Sequence, residues 1–332
     1  MSAIPPEIWG HIRTVSVSPS LTRRTVSIYH RNIAQRLARE FPESTPGVAG
    51  VPDAVTRAGL LSLARNVRRL PPAGVHRFYT LAGHPLDHAE GPALAELLRS
   101  GAVSGTPATV LVDTDQDWVR DGLASSLDSL HESDAEAARS LPGFPTDVRD
   151  ALSRAQDALR LAWPDAWEEH NTLIRHVVFT TAQLRSATSA STFGAVYVGT
   201  HEATEALRMF EVLLHETGHH ALNLREQFTR FLVNPETEAG HALRRDPRPL
   251  RGVLHAAFVL WRIEEGLRRY EAACPDGGPL DGCAWRERRA EAAGQLQQTL
   301  RALDAAAEWT TCGANLRQSL SAPVLADAAV AS

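Results

Sequence analysis

Apolar side chains recur at three- and four-residue steps along much of this chain, the spacing of helices that bury one stripe. The pattern predicts amphipathic helices over 28–37 and 54–70, with breaks at Pro71-Pro72 and Gly91-Pro92. Residues 147–163 place Val148, Leu152, Ala155, Leu159 and Ala162 on one stripe that Pro164 interrupts. The strongest helical pattern covers 205–224, with Leu207, Phe210, Leu213, Leu214, Ala221 and Leu222 in step and no proline inside. Further helices are expected over 251–273, carried by Val253, Leu254, Phe258, Trp261 and Leu267, over 284–307, and near the C-terminus, where the alanine-rich residues 322–332 should fray.

Strand signals are fewer. Runs rich in β-branched residues at 108–112 and 174–180, and a glycine-bounded run at 193–199, read as short strands. A Ser/Thr-rich loop, 186–192, joins the last two, and a polar loop with Pro235, Gly240 and Asp246-Pro247-Arg248-Pro249 separates the strongest helix from the next. The expected class is α+β and predominantly helical, with an N-terminal helical region over 1–105 and a catalytic domain over 106–332. No internal repeat is visible.

Composition narrows the chemistry. All 34 basic residues are arginine. Without lysine there is no Schiff base, no phosphate-loop lysine and no lysine general base, so anions must be held by arginine, backbone N–H groups or a metal. The net charge of -5 argues against nucleic acid as a partner. No apolar stretch approaches the roughly 18–20 residues that span a bilayer, and residues 1–10 carry no basic and apolar signal pattern, so a cytoplasmic protein is expected. The three cysteines, Cys274, Cys283 and Cys312, have no CxxC spacing and read as small hydrophobes.

The strongest helix contains His215-Glu216-Thr217-Gly218-His219, an HExxH motif. Positions four apart share one helix face, so both imidazoles reach one metal ion, while Glu216 points about 100° round the helix. A firmly held ion needs a third ligand. His255, on an otherwise apolar face downstream, is the first candidate; Glu265 is second and His241, in the loop, third. His220 lies beside His219, supporting a ligand or facing solvent. Two reactions suit such a site: peptide hydrolysis by a zinc-bound water with Glu216 as base, and oxidation by iron(II) with a 2-oxo acid and dioxygen, the far carboxylate clamped by arginine. Two histidines plus a carboxylate are usual for the second, so an all-histidine set departs from that pattern.

The segments Ser186-Ala187-Thr188-Ser189, Phe193-Gly194-Ala195-Val196, the HExxH motif and Arg245-Asp246-Pro247-Arg248-Pro249-Leu250 leading to Gly252-Val253-Leu254-His255 resemble the HExxH-motif proteins encoded with ribosomally made peptide natural products. The resemblance covers roughly 145–275. It implies an iron(II)- and 2-oxoglutarate-dependent hydroxylase acting on a side-chain β-carbon of a precursor peptide. It implies iron at His215, His219 and His255, and a zincin-like helical scaffold rather than a jelly roll. Gly218, a poor helix former, and Ala256, where glycine is expected, are minor departures. For the 2-oxoglutarate tail the candidates are Arg248, two helical turns before His255, and Arg262, two turns after it. Tyr197, Ser189 and Thr192 are candidate peptide contacts, on the expectation that the strand at 195–198 borders the cleft and pairs with an extended substrate. Two rivals stand beside this reading: a zinc metallopeptidase on the same site, and a catalytically silent peptide-binding protein. Neither the precursor nor the oligomeric state is legible.

Overall fold

The computed structural model describes residues 4–41, 57–81, 91–100, 116–130, 145–181, 184–241, 244–275, 277–280, 282 and 284–321. The strand expected at 108–112 lies outside them. Helices α1 (Pro6–Ile12), α2 (Pro19–Glu40), α3 (Arg57–Arg65), α4 (Pro72–Leu81), α5 (Gly91–Ser100), α6 (Asp117–Leu130), α7 (Thr146–Ala162) and α8 (Pro164–Leu173) precede three strands, β1 (His176–Thr180), β2 (Ser186–Ala187) and β3 (Ala195–Gly199). Then come α9 (Ala206–Glu226), a hairpin of β4 (Glu238–His241) and β5 (Arg244–Pro249), and helices α10 (Leu250–Ala273), α11 (Ala284–Ala306) and α12 (Thr311–Leu320). The protein is predominantly helical with a small sheet.

The helical pattern does stop ahead of Pro72 and Pro164, since α3 ends at Arg65 and α7 at Ala162, and the same prolines, with Pro92, open the helices that follow. Each stands in the first two positions of a helix, α4, α5 and α8. There the missing N–H has no partner to lose and the fixed φ suits the first turn. The polar stretch after α9 is likewise more ordered than its composition suggests. Its Asp246-Pro247-Arg248-Pro249 forms most of β5, and a two-stranded ladder has a free side that tolerates residues without an N–H.

The three-stranded sheet has the order β1-β3-β2, with β1 parallel and β2 antiparallel to β3. The strand expected to offer a free edge is therefore the central one. Residues alternate across it. Val177, Phe179, Val196 and Val198 join the main core. Val178, Ala195 and Tyr197 pack on the other face with Trp118, Val119 and Leu123 of α6. Burial on both faces explains why these strands are almost wholly apolar.

Helix α9 lies against α2, α7, α8, α10 and β2. Two glycines set its crossing with α10. A Cβ at Gly218 would lie 3.0 Å from both Val259 Cγ1 and Arg262 Cδ, and one at Gly266 would collide with Leu214. Gly218 is thus retained for close helix packing at the cost of helix propensity, about 1 kcal/mol relative to alanine. Helices α1 and α2 belong to the same apolar cluster, which runs from Ile8 to Leu320. No described helix is long and apolar enough to cross a membrane.

Candidate metal centre

Helix α9 delivers His215 and His219 from consecutive turns, and α10 delivers His255 across the glycine-lined crossing. His215 Nε2 and His219 Nε2 are 3.0 Å apart, and His219 Nδ1 is 3.0 Å from His255 Nδ1. The rings of His219 and His255 stack with centroids 5.3 Å apart, while His215 meets His219 edge-on. Burial, with Arg185, His255 and Arg288 adding to it, pulls the His215 pKa down to about 3, and burial with its neighbours His215 and His255 holds His219 well below the usual range. Both are uncharged at neutral pH, the state a metal requires of imidazole.

The three rings form a chain with His219 in the middle, using opposite nitrogens of that ring. Among the described residues no three donors already face one point. The His215–His219 separation is that of a hydrogen-bonded imidazole pair, and also that of neighbouring ligands at right angles on an ion held at about 2.1 Å. Sharing one ion among all three needs a side-chain rotation at His219 or His255.

Glu216 is 1% exposed, with Oε1 3.9 Å from His215 Nε2. Among the described residues neither of its oxygens closes a hydrogen bond of good geometry, although the Ser186 and Thr188 side chains come close to it. Burial pushes its pKa up to about 7, only partly offset by Ser186, Arg185 and Thr188 beside it. A buried carboxylate partnered this weakly normally costs several kcal/mol, so it marks a place where a cation or a reacting proton is expected. Uncharged imidazoles and this weakly partnered carboxylate fit a divalent transition metal.

Two arginines flank the centre that spacing along the sequence did not single out. Glu211, one turn before His215 and 2% exposed, accepts from Arg185 Nη2 at 2.5 Å and from Arg288 Nε at 2.8 Å. Both guanidinium charges act on His215, and Arg185 acts on Glu216 as well. The Arg185 side chain keeps 41% of its exposure. Arg248 instead lies on β5 opposite Ala239. Because α10 begins only at Leu250, no helical step links it to His255.

Arg262 is committed elsewhere. It is fully buried, and Nη2 donates to Glu169 Oε2 at 2.5 Å. Glu169 Oε1 accepts in turn from Thr22 on α2, whose hydroxyl meets His11 Nε2 at 3.2 Å. This ion pair ties α2 to α8 and α10. Arg262→Ala leaves a buried carboxylate unpaired and is expected to cost about 3–5 kcal/mol, whereas Arg262→Met with Glu169→Leu should be nearly neutral. Urea unfolding of the two variants against the unmodified protein measures both.

The candidate peptide contacts also serve the scaffold. Tyr197 and Thr192 are fully buried, and the Tyr197 hydroxyl donates to Thr192 Oγ1 at 3.2 Å, beneath Gly122 of α6. Ser189 Oγ accepts from the Ser191 N–H and contacts the Ser125 hydroxyl. None offers a surface to a peptide. His220 does not face solvent: it is buried and donates from Nε2 to the Ala195 carbonyl at 3.0 Å, tying α9 to β3. Glu265 is held by Arg268 and Arg269, Glu264 pairs with Arg289, and His241 ends β4. No protein-family model and no curated protein matches this chain.

Proposed function

We propose that this protein is an iron(II)- and 2-oxoglutarate-dependent dioxygenase that hydroxylates a side-chain β-carbon of a ribosomally made precursor peptide in the cytoplasm, on a zincin-like core. The observation that carries the proposal is the cluster of His215, His219 and His255 with an arginine pair held on Glu211, one helical turn before His215. His215, His219 and His255 would hold iron(II), which supplies oxygen activation. In the balanced reaction one oxygen atom enters the C–H bond and the other enters succinate as 2-oxoglutarate loses carbon dioxide.

The residues of the chain then divide the remaining work. Arg185, anchored by Glu211 yet half exposed, takes the far carboxylate of 2-oxoglutarate in place of Arg248 or Arg262. Glu216 steers a proton or a water beside the imidazoles. The outer side of β2, which carries no further strand among the described residues, lies next to Glu216 and suits backbone pairing with an extended peptide. Titration of the iron(II)-loaded chain with 2-oxoglutarate under nitrogen tests the reading. One molecule should bind per chain, and Arg185→Ala should weaken binding about 10–100-fold, the worth of a charged hydrogen bond. No uptake by the unmodified protein contradicts it.

One observation favours a second reading. A buried carboxylate with its pKa near 7, 3.9 Å from a ligand nitrogen, is suited to general-base activation of a zinc-bound water in peptide hydrolysis. Glu216→Gln separates the two: a peptidase loses nearly all activity, whereas the hydroxylase retains a measurable part.

A further inference from the structure

Glu226 is the last residue of α9, where a carboxylate opposes the helix dipole, and Arg251 is the second residue of α10, where a cation does the same. Both are placed against local preference, and both are turned toward one another. Arg251 Nη2 donates to Glu226 Oε2 at 2.7 Å and Nε to the same oxygen at 3.1 Å, with Nε 3.3 Å from Oε1. Arg251 Nη2 also reaches Asn223 Oδ1 at 3.4 Å. The carboxylate held this way meets His255 Nε2 at 3.3 Å. The Glu226 and His255 side chains are only 15% and 11% exposed, while Arg251 is 54% exposed, so the far end of the clamp is open to water and the histidine end is not.

The contact fixes where the protons sit. A carboxylate only accepts, so His255 must donate from Nε2, and a neutral ring then carries its lone pair on Nδ1. That nitrogen faces His219 Nδ1 at 3.0 Å, which must donate, leaving the His219 lone pair on Nε2, toward His215. The reverse order would set a lone pair of His255 against the carboxylate. One acidic residue at the end of α9 thus orders the tautomers of the whole chain of rings.

We infer that Glu226, clamped by Arg251, is a positioning residue for the metal centre: it holds His255 in the tautomer that keeps Nδ1 as the ligand atom, so that the rotation that gathers the three rings falls to His219. The inference rests on the reading of His215, His219 and His255 as metal ligands. Partners of this kind, bonded to the far nitrogen of a ligating histidine, set ring orientation and raise ligand basicity.

The test titrates the metal-free, full-length protein with cobalt(II) and, separately, with zinc(II) against a chromogenic chelator. Glu226→Ala is expected to weaken both metals about 10–100-fold and to change the visible cobalt spectrum. Glu226→Gln, which keeps an acceptor oxygen and the packing, should recover part of the loss and covers the case in which the alanine variant does not fold. Because Glu226 acts through His255, the double variant Glu226→Ala/His255→Ala should bind no worse than His255→Ala alone. Unchanged affinity and spectrum in a folded Glu226→Ala or Glu226→Gln protein overturns the inference, as do losses that simply add in the double variant. An unmodified protein that takes up neither metal overturns the metal reading itself, and is told apart because it fails before any variant is compared.

Discussion

Alanine at position 219 is expected to abolish metal binding and turnover together while leaving the protein folded. His219 is the middle member of the imidazole chain and the only one in contact with both of the others. Loss of an outer partner of a ligand already costs about 10–100-fold, so loss of the ligand itself should exceed that range. Among the described residues the side-chain hydrogen bonds of the ring run to His215 and His255, so truncation removes little of what holds α9 in place. The adjacent position behaves oppositely. His220→Ala leaves the metal ligands intact but deprives the buried Ala195 carbonyl of its donor and opens a gap beside Phe193, costing about 1–3 kcal/mol. Metal content and thermal unfolding of the two variants give a crossed pattern, and a His219→Ala protein that retains stoichiometric metal would be at odds with the site.

The metal-free protein should also be acid-labile well above the range where carboxylates titrate. Burial is the main cause that pulls His11 down to about 2, His30 and His170 to about 3, and His220 to about 4. His30 Nδ1 accepts from the Leu70 N–H, a bond that protonation would destroy. In the unfolded chain these groups regain a pKa near 6.5. Between about pH 6.5 and 4 the unfolded state therefore binds protons that the folded state refuses, so stability falls as pH falls. The slope approaches about 1.4 kcal/mol per pH unit for each group, and four such groups soon exceed the 5–15 kcal/mol of an ordinary domain. Glu216 opposes this, since its raised pKa makes the folded state bind the extra proton between its usual value and about 7, but it is one group against these four and against His215 and His219, which are depressed as well. The urea midpoint should drop steeply below about pH 6 and folding should be lost before about pH 4; a flat profile to pH 4 would contradict the burial of these rings.

What the sequence made legible was local and periodic. The stripe of α9, the four-residue histidine spacing within it and the β-branched runs of β1 and β3 each declare themselves over a few residues, and the structure has them where the pattern puts them. Proline marks the end of one helix at Pro72 and Pro164, but the pattern does not tell that it also starts the next, because the same residue that ends a helix is favoured at the start of one. Tyr197 was ambiguous for another reason. A two-residue period says that alternate side chains face opposite ways, but not which face meets α6 and which meets the main core. Charged residues were least legible. Arg262 and Arg248 were singled out by helical steps from His255, yet one is consumed by Glu169 and the other precedes the helix. Arg185, Glu211 and Glu226 acquire their meaning only from partners 25 to 77 residues away, a relation no local pattern encodes.

The central claim is that three imidazoles hold iron for an oxidation driven by 2-oxoglutarate. The most direct measurement reconstitutes the protein anaerobically with iron(II), then admits air in the presence of 2-oxoglutarate and the precursor peptide, and weighs the peptide while counting succinate. The expected result is a peptide heavier by one oxygen atom for each succinate formed, with no product when iron or 2-oxoglutarate is withheld. Zinc-dependent cleavage of the peptide without 2-oxoglutarate would contradict it.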